Sequence, residues 1–432
     1  MDPSDGPMNI LIISNLYPPN VVGGYERLCF ETASALVEGN HRVSVLTSNY
    51  GGRLADYPGQ DADRSLRMLA DTDDIYKGFS ASESEKKAIN DHNLAVLECK
   101  LATVQPDVVF VWNLFFLDVS FLSAIQSSGV RTVFLLTDNW LILFLKPAFW
   151  YRYFTGGVLA SRSWPAVIRS ALGNLRVRMF PDNISIAGEA IFPSRFMQAF
   201  YAQAGCRFQK TVVIPHGVHL TPHDEASYRN RMETVKKGEI HLLFAGRVVE
   251  MKGVHTILES LPEIVRGLPD TSVRLTVMGD CQDRQYQDRL ETIIRRCHLE
   301  GVVTFRYPVP ESNLFTVFQE YDIFLFPSLY EPFSLTLIHA MAAGIPVAAS
   351  DVGGNREIVF PEKTGLLFPR ADAQALAGAV LRLAANAGLR RELAMAGRET
   401  AGRFTFQAMV QQVEAYLQAP SGWEAAERTR GR

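Results

Sequence analysis

The segment FAGRVVEMKG puts Gly246 and Arg247 at the end of an apolar run and Lys252 and Gly253 at the start of the next helical stretch. Two cations converging from one loop make a clamp for a pyrophosphate, arginine supplying a planar fork and lysine a point charge. On this segment alone, two solvated surface cations fit as well. Farther along, FPSLYEPFSLTLIHAMAAGIPV ends a strand at Pro327 and Ser328 and opens a helix near Phe333 or Ser334. First-turn N–H groups at Phe333, Ser334 and Leu335 would be unpaired donors, and such a mouth favours an anion. Glu331 stands just before that mouth, and His339 follows eight residues later on what reads as the same helical face. A capping acid would explain Glu331 by itself. Near the start, SNLYPPNVVGGYERL places Gly23 and Gly24 before a helix beginning near Tyr25. Glycines there let a backbone approach a ligand, although a plain turn also fits. No third glycine completes a dinucleotide fingerprint.

Such groups need a scaffold that brings strand ends together. Residues 9–15, 41–48, 107–113, 131–138 and 184–194 are near-continuous apolar runs, the pattern of parallel strands covered on both faces. After a break at 214–224 the rhythm restarts with 241–247, 274–280, 302–307, 322–328 and 345–350, separated by helical stretches. Two such arrays in series predict two doubly wound Rossmann-like α/β domains, with a hinge near Pro215 and Gly217 and ligands in a cleft beyond the strands' carboxyl ends. The expected boundaries are 1–213, 214–402, and a last helix from 403 that packs back across the junction before a polar, frayed tail.

Composition narrows the function class. A chain of 432 residues exceeds what one core serves. A net charge of -3 carries no basic footprint, so no nucleic-acid partner is expected. Five scattered cysteines without metal spacing suit a reducing, cytoplasmic setting. Neither a signal peptide nor a membrane-spanning stretch is visible. The acidic stretches DADRS (61–65) and DTDD (71–74) read as a polar insertion, so no essential metal and no cofactor is expected.

Taken together and in this order, the Gly-Gly loop, AGRVVEMKG, VMGD, PSLYEPFSLTLIHAMAAGIPVAASDVGGNREIV and KTGLLF resemble the retaining nucleotide-sugar glycosyltransferases of family four. The resemblance covers roughly residues 9–417 and is strongest over 242–369. It implies a GT-B fold, two Rossmann-like domains facing a central cleft. It also implies transfer of a sugar from a nucleotide-diphosphate sugar to an acceptor hydroxyl, in bacterial glycan, glycolipid or glycosylated natural-product synthesis. By that resemblance Arg247 and Lys252 hold the donor diphosphate, and Glu331 touches donor-sugar hydroxyls. The backbone at Phe333, Ser334 and Leu335 holds the distal phosphate, with Gly24 approaching it. Tyr307 and Val309 flank the nucleobase, and Asp138 and Trp140 belong to the acceptor side. Fixed cations and oriented N–H donors stabilise a departing diphosphate without metal.

Three positions depart from the family pattern. His339 stands where a second glutamate accepts from the ribose, and a neutral imidazole accepts only one hydrogen bond. Thr137 replaces a histidine before Asp138, and Ser334 replaces a glycine. These changes leave room for a non-catalytic partner subunit; an epimerase or phosphorylase on the same fold is a third reading. Residues 139–181 contain no acid, and Lys146, Arg152, Arg162, Arg169, Arg176 and Arg178 interleave there with aromatics. That pattern suits either peripheral contact with an anionic membrane at the inner face or a lid over a sugar, lipid-linked or aromatic acceptor.

Overall fold

The computed structural model describes residues 6–21, 23–50, 61–71, 79–154, 158, 183–220 and 238–420. The chain forms two compact units, one of Met1–Ile214 with Val410–Arg432 and one of Pro215–Met409.

In the first unit the strands are β1 (Asn9–Ser14), β2 (Arg42–Ser48), β3 (Asp61–Leu66), β4 (Val108–Asn113), β5 (Arg131–Leu135), β6 (Ile184–Phe192) and β7 (Cys206–Val213). They form one sheet of order β3-β2-β1-β4-β5-β6-β7, and every pairing is parallel. Its helices are α1 (Gly24–Glu38), α2 (Glu83–Val104), α3 (Val119–Ser127), α4 (Trp140–Leu145), α5 (Pro147–Tyr153) and α6 (Arg195–Gln203). Strand β4 is buried along its whole length, as its unbroken apolar run requires. DADRS is not an insertion: it forms β3, paired with β2 at the sheet's edge. An edge strand has one strand neighbour, so polar side chains are tolerated there. The Asp63 carboxylate accepts from Ser65 N–H and Oγ at 3.1 and 2.6 Å. At the other edge β7, CRFQKTVV, is polar for the same reason and carries no continuous apolar run.

The second unit contains β8 (Glu239–Ala245), β9 (Ser272–Met278), β10 (Val303–Arg306), β11 (Ile323–Phe326), β12 (Val347–Ser350) and β13 (Leu366–Phe368). Their order is β10-β9-β8-β11-β12-β13, again parallel throughout. Between them run α7 (Val254–Gly267), α8 (Arg284–Arg296), α9 (Glu311–Phe318), α10 (Leu335–Ala342), α11 (Asn355–Ile358), α12 (Ala373–Ala385) and α13 (Ala387–Ala401). Alternate residues of β8 enter opposite cores. Leu242 and Phe244 pack with Ile257 and Leu261 of α7, whereas Leu243 and Ala245 pack with Leu337 and Met341 of α10. Both faces of the sheet are therefore covered.

The segments that enter and leave this second unit are laddered together. Val218 N–H donates to Phe404 O and Phe406 N–H to Val218 O, both at 2.9 Å. The last helix, α14 (Phe406–Gln418), belongs to the first unit from Val410 onward. There Glu414 meets His41 Nε2 at 3.1 Å. Arg131 caps the helix's carboxyl end by donating to the carbonyls of Tyr416, Leu417 and Ala419 at 3.1, 2.6 and 2.8 Å. The polar tail past 420, DTDD beyond Asp71, and residues 155–157 and 159–182 of the basic aromatic segment lie outside the described residues.

Candidate functional site

In the second unit the strand order reverses between β8 and β11, and a doubly wound sheet binds ligands beyond the strand ends at such a switch point. The loop after β8 carries Gly246 and Arg247 and ends in a 3-10 turn, Glu250–Lys252. The loop after β11 carries Pro327, Ser328 and Glu331. Leu329 N–H donates to Met251 O at 2.8 Å, tying the two loops. Gly253 seals the contact: its φ is +70° and a Cβ there would lie 2.1 Å from Pro327 O. This packing delivers Lys252 Nζ to Glu331 Oε2 at 2.6 Å, with Ser328 Oγ donating to the same oxygen at 3.2 Å. Lys252 also lies 5.5 Å from the Phe326 ring centroid. Glu331 is only 5% exposed. Its backbone carbonyl accepts Gly354 N–H at 2.9 Å, an approach open because Gly354 lacks a Cβ, which would sit 2.3 Å from Pro332 O.

Helix α10 begins at Leu335, later than expected, with Ser334 as its N-cap accepting Leu337 N–H at 3.1 Å. The N–H groups of Leu335 and Thr336 precede the first intrahelical bond, Ile338 N–H to Ser334 O. Leu337 is already taken, and Phe333 stands outside the helix. Glu331 and His339 accordingly do not share a helical face, because only His339 is helical. His339 is half-buried on α10, and Arg247 is exposed. Among the described residues no ion pair engages Arg247, in contrast to Lys252. Tyr307, just past β10, is 88% exposed, and Val309 packs partly against the α10 core.

The first unit holds the remaining predicted residues. Its sheet reverses between β1 and β4, and Asn15 stitches the two ends by donating from its backbone to Asn113 O at 2.7 Å and from Nδ2 to Phe115 O at 3.0 Å. Gly23 and Gly24 open α1, but its mouth is already engaged: the fully buried Glu26 accepts Gly23 N–H at 3.0 Å. Tyr25 donates to Asn15 Oδ1 at 2.9 Å. Burial first, then the charges of Glu26 and Asp138, hold its phenol well above the ordinary range, so it stays protonated. Glu26 was not singled out from the sequence, yet its place three residues after Gly23 is the usual position for an acid that satisfies a helix start. Asp138 accepts Trp140 N–H on its side chain at 2.9 Å and the Tyr201 hydroxyl on its carbonyl at 2.9 Å. Thr137 Oγ1 and Trp140 Nε1 are buried without a partner among the described residues.

In the described part of the basic aromatic segment, three rings pack on helix α6. Phe149, Tyr153 and Phe154 all lie against Phe200 of α6, with ring centroids 5.5, 4.6 and 6.5 Å away. Lys146 is buried, while Tyr151 is half exposed. Arg162, Arg169, Arg176 and Arg178 fall outside the described residues. Among those described, no helix is long and apolar enough to cross a membrane, and no three His, Cys, Asp or Glu side chains group as a metal site.

Comparison with known proteins gives consistent matches. The family described as Glycosyltransferase Family 4 matches residues 22–221, and that described as Glycosyl transferases group 1 matches residues 229–400. A D-inositol 3-phosphate glycosyltransferase of Pseudarthrobacter chlorophenolicus is 32% identical over 38% of this chain and 39% of its own length; the chain thus spans well under half of that relative. An uncharacterized glycosyltransferase of Methanocaldococcus jannaschii is 24% identical over 89% of this chain and 90% of its own. Among solved structures, sucrose-phosphate synthase of Thermosynechococcus elongatus superposes with a TM-score of 0.69 at 22% identity, covering 94% of this chain and 97% of its own. An Anabaena protein solved with UDP and glucose gives 0.63 at 18%, covering 96% and 100%. These structural likenesses show the GT-B glycosyltransferase fold.

Proposed function

Because the chain belongs to glycosyltransferase family four, we infer that it moves a sugar from a nucleotide-diphosphate sugar to an acceptor hydroxyl, with retention of configuration and without an essential metal. The observation that carries this reading is the Lys252–Glu331 pair, 2.6 Å apart at the switch point of the second unit and just ahead of the α10 mouth. Breaking the bond from the anomeric carbon to the diphosphate leaves negative charge on the departing group. Lys252, the exposed Arg247 and the N–H donors of Leu335 and Thr336, which have no acceptor among the described residues, supply fixed positive charge for it. Glu331 is then the group for donor-sugar hydroxyls and His339 for the ribose, with Tyr307 and Val309 toward the nucleobase and Gly24 toward the distal phosphate. Thr137, Asp138 and Trp140 serve the acceptor side. Packing of Phe149, Tyr153 and Phe154 on Phe200 supports an acceptor wall that would suit a sugar, lipid-linked or aromatic acceptor.

The test is a thermal-shift panel of nucleoside diphosphates, UDP first because the Anabaena relative in fold was solved with it. A ligand at a hundredfold its Kd stabilises by about 2.7 kcal/mol. One member should raise the melting temperature, and its sugar conjugate should support transfer in EDTA with the anomeric configuration kept. If no diphosphate binds, the donor reading is lost. Binding without transfer by the isolated chain would point to a non-catalytic partner subunit.

A further inference from the structure

Just inside the second unit, His216 is 5% exposed, and neither ring nitrogen has a hydrogen-bond partner among the described residues. Burial pushes this imidazole down to about 3, so the ring is neutral and carries one N–H that no described residue accepts. A buried donor without a partner costs free energy that an apolar side chain of similar shape would avoid. The ring's surroundings say where a partner could arise. His216 stands edge-on to Phe333, centroids 5.8 Å apart at 85°, and Phe333 stands edge-on to Phe404 at 5.7 Å. Next to His216, Gly217 packs so tightly on Thr405 that a Cβ would lie 2.1 Å from its carbonyl oxygen. The backbone beside the imidazole is thus packed against Thr405. The ring itself meets Phe333, the residue that precedes Ser334, the N-cap of the α10 mouth.

We propose that His216 is a positioning residue for nucleoside-diphosphate binding, its ring N–H closing onto the backbone at Phe333 when the diphosphate seats at the α10 mouth. The proposal rests on the donor reading above. It assigns the imidazole an energetic cost in the free chain that is recovered in the bound one, so unliganded stability and ligand affinity should respond in opposite directions.

The experiment compares wild type with His216→Phe, His216→Asn and His216→Gln. Melting temperature is measured without ligand, and calorimetric affinity with the nucleoside diphosphate that shifts the wild type most. Phenylalanine keeps a planar ring but no donor, whereas the amides place an N–H near the Nδ1 and Nε2 positions respectively. His216→Phe should melt at or above the wild-type temperature and bind up to about tenfold more weakly, near the upper bound for a hydrogen bond between neutral groups. At least one amide variant should recover part of that affinity. Wild-type affinity in His216→Phe overturns the proposal, and so does a parallel fall of stability and affinity that neither amide corrects. If the wild type itself binds no nucleoside diphosphate, the donor reading falls and His216 with it. Binding by the wild type that survives in His216→Phe overturns the His216 role alone.

Discussion

Replacing Glu331 by glutamine should tighten binding of a free nucleoside diphosphate while weakening glycosyl transfer. In the unliganded chain the Lys252 ammonium is committed to the Glu331 carboxylate at 2.6 Å, so a diphosphate must share or displace that pairing. The pair is neither fully exposed nor fully buried, its side chains being 21% and 6% accessible. An exposed ion pair contributes about 0.2–1 kcal/mol and a hydrogen bond to a charged group about 1.5–3 kcal/mol; the lysine's exposure sets the competing term near the top of the first range. Freeing the lysine from a charged partner is then worth about 1 kcal/mol, or about fivefold in Kd. Glutamine keeps the shape and can still accept from Ser328, so packing is little disturbed. On the role proposed for Glu331, the same change removes a charged acceptor for donor-sugar hydroxyls, so transfer should fall about ten- to a hundredfold. Calorimetry on wild type, Glu331→Gln, and the double variant with Lys252→Met reads the first effect, and steady-state transfer reads the second. The double variant should lose the gain, since no ammonium remains to be freed. Diphosphate affinity that falls in step with transfer in Glu331→Gln would refute the competition.

Gly253→Ala should lower the melting temperature by about 4 °C or more, because a Cβ at φ +70° would meet Pro327 O at 2.1 Å, a cost of about 2 kcal/mol or more; an unchanged melt would dismiss the close approach. His339→Ala should weaken diphosphate binding about fivefold if its ring accepts from the ribose, and His339→Glu should keep or tighten it; unchanged affinity in both, by calorimetry, returns His339 to a packing role. Acid should destabilise the second unit. Burial pushes His216 down to about 3, and burial followed by the Arg289 charge pushes His255 to about 4. The unfolded rings titrate near 6.5, so below that pH the unfolded chain binds protons the folded chain refuses. Stability then falls with pH by about 1.4 kcal/mol per unit per ring until the folded value is reached. The free energy of urea unfolding should drop less between pH 7 and 5 in His216→Phe than in wild type, by about 2 kcal/mol, and an equal drop would reject the neutral buried ring.

The parts of the fold written in the sequence are those buried on both faces. Strand β4 reads VVFVWN and is wholly buried, and Leu242 to Ala245 feed two cores in alternation, so unbroken apolar runs were unavoidable there. Strands β3 and β7 are sheet edges, where half the surroundings are not strand and polar residues such as Asp63 and Lys210 are admissible. Periodicity carries no signal for a strand of that kind. β13, Leu366–Phe368, is too short to hold a period at all.

The site divides along a similar line. From its segment alone, Arg247 could be placed at a strand end, Lys252 at the start of the next helical stretch and Glu331 just before a helix mouth. That Lys252 would reach Glu331 could not be read so, since the two are 79 residues apart with β9, β10 and β11 between them in the chain. Their meeting depends on β8 lying beside β11 and on Gly253 letting the two loops touch, facts of strand order and close approach rather than composition. The same holds for Glu331 and His339, whose eight-residue spacing suggests one helical face. Proline at 332 and a serine cap at 334 delay the helix to Leu335, which leaves the acid on a loop held by the backbone of Gly354. Its carboxylate is thereby free to face Lys252 instead of the helix. A loop acid paired to a lysine, ahead of a helix mouth with two N–H groups uncommitted among the described residues, puts an exchangeable anion where the proposed diphosphate would have to compete for the cation.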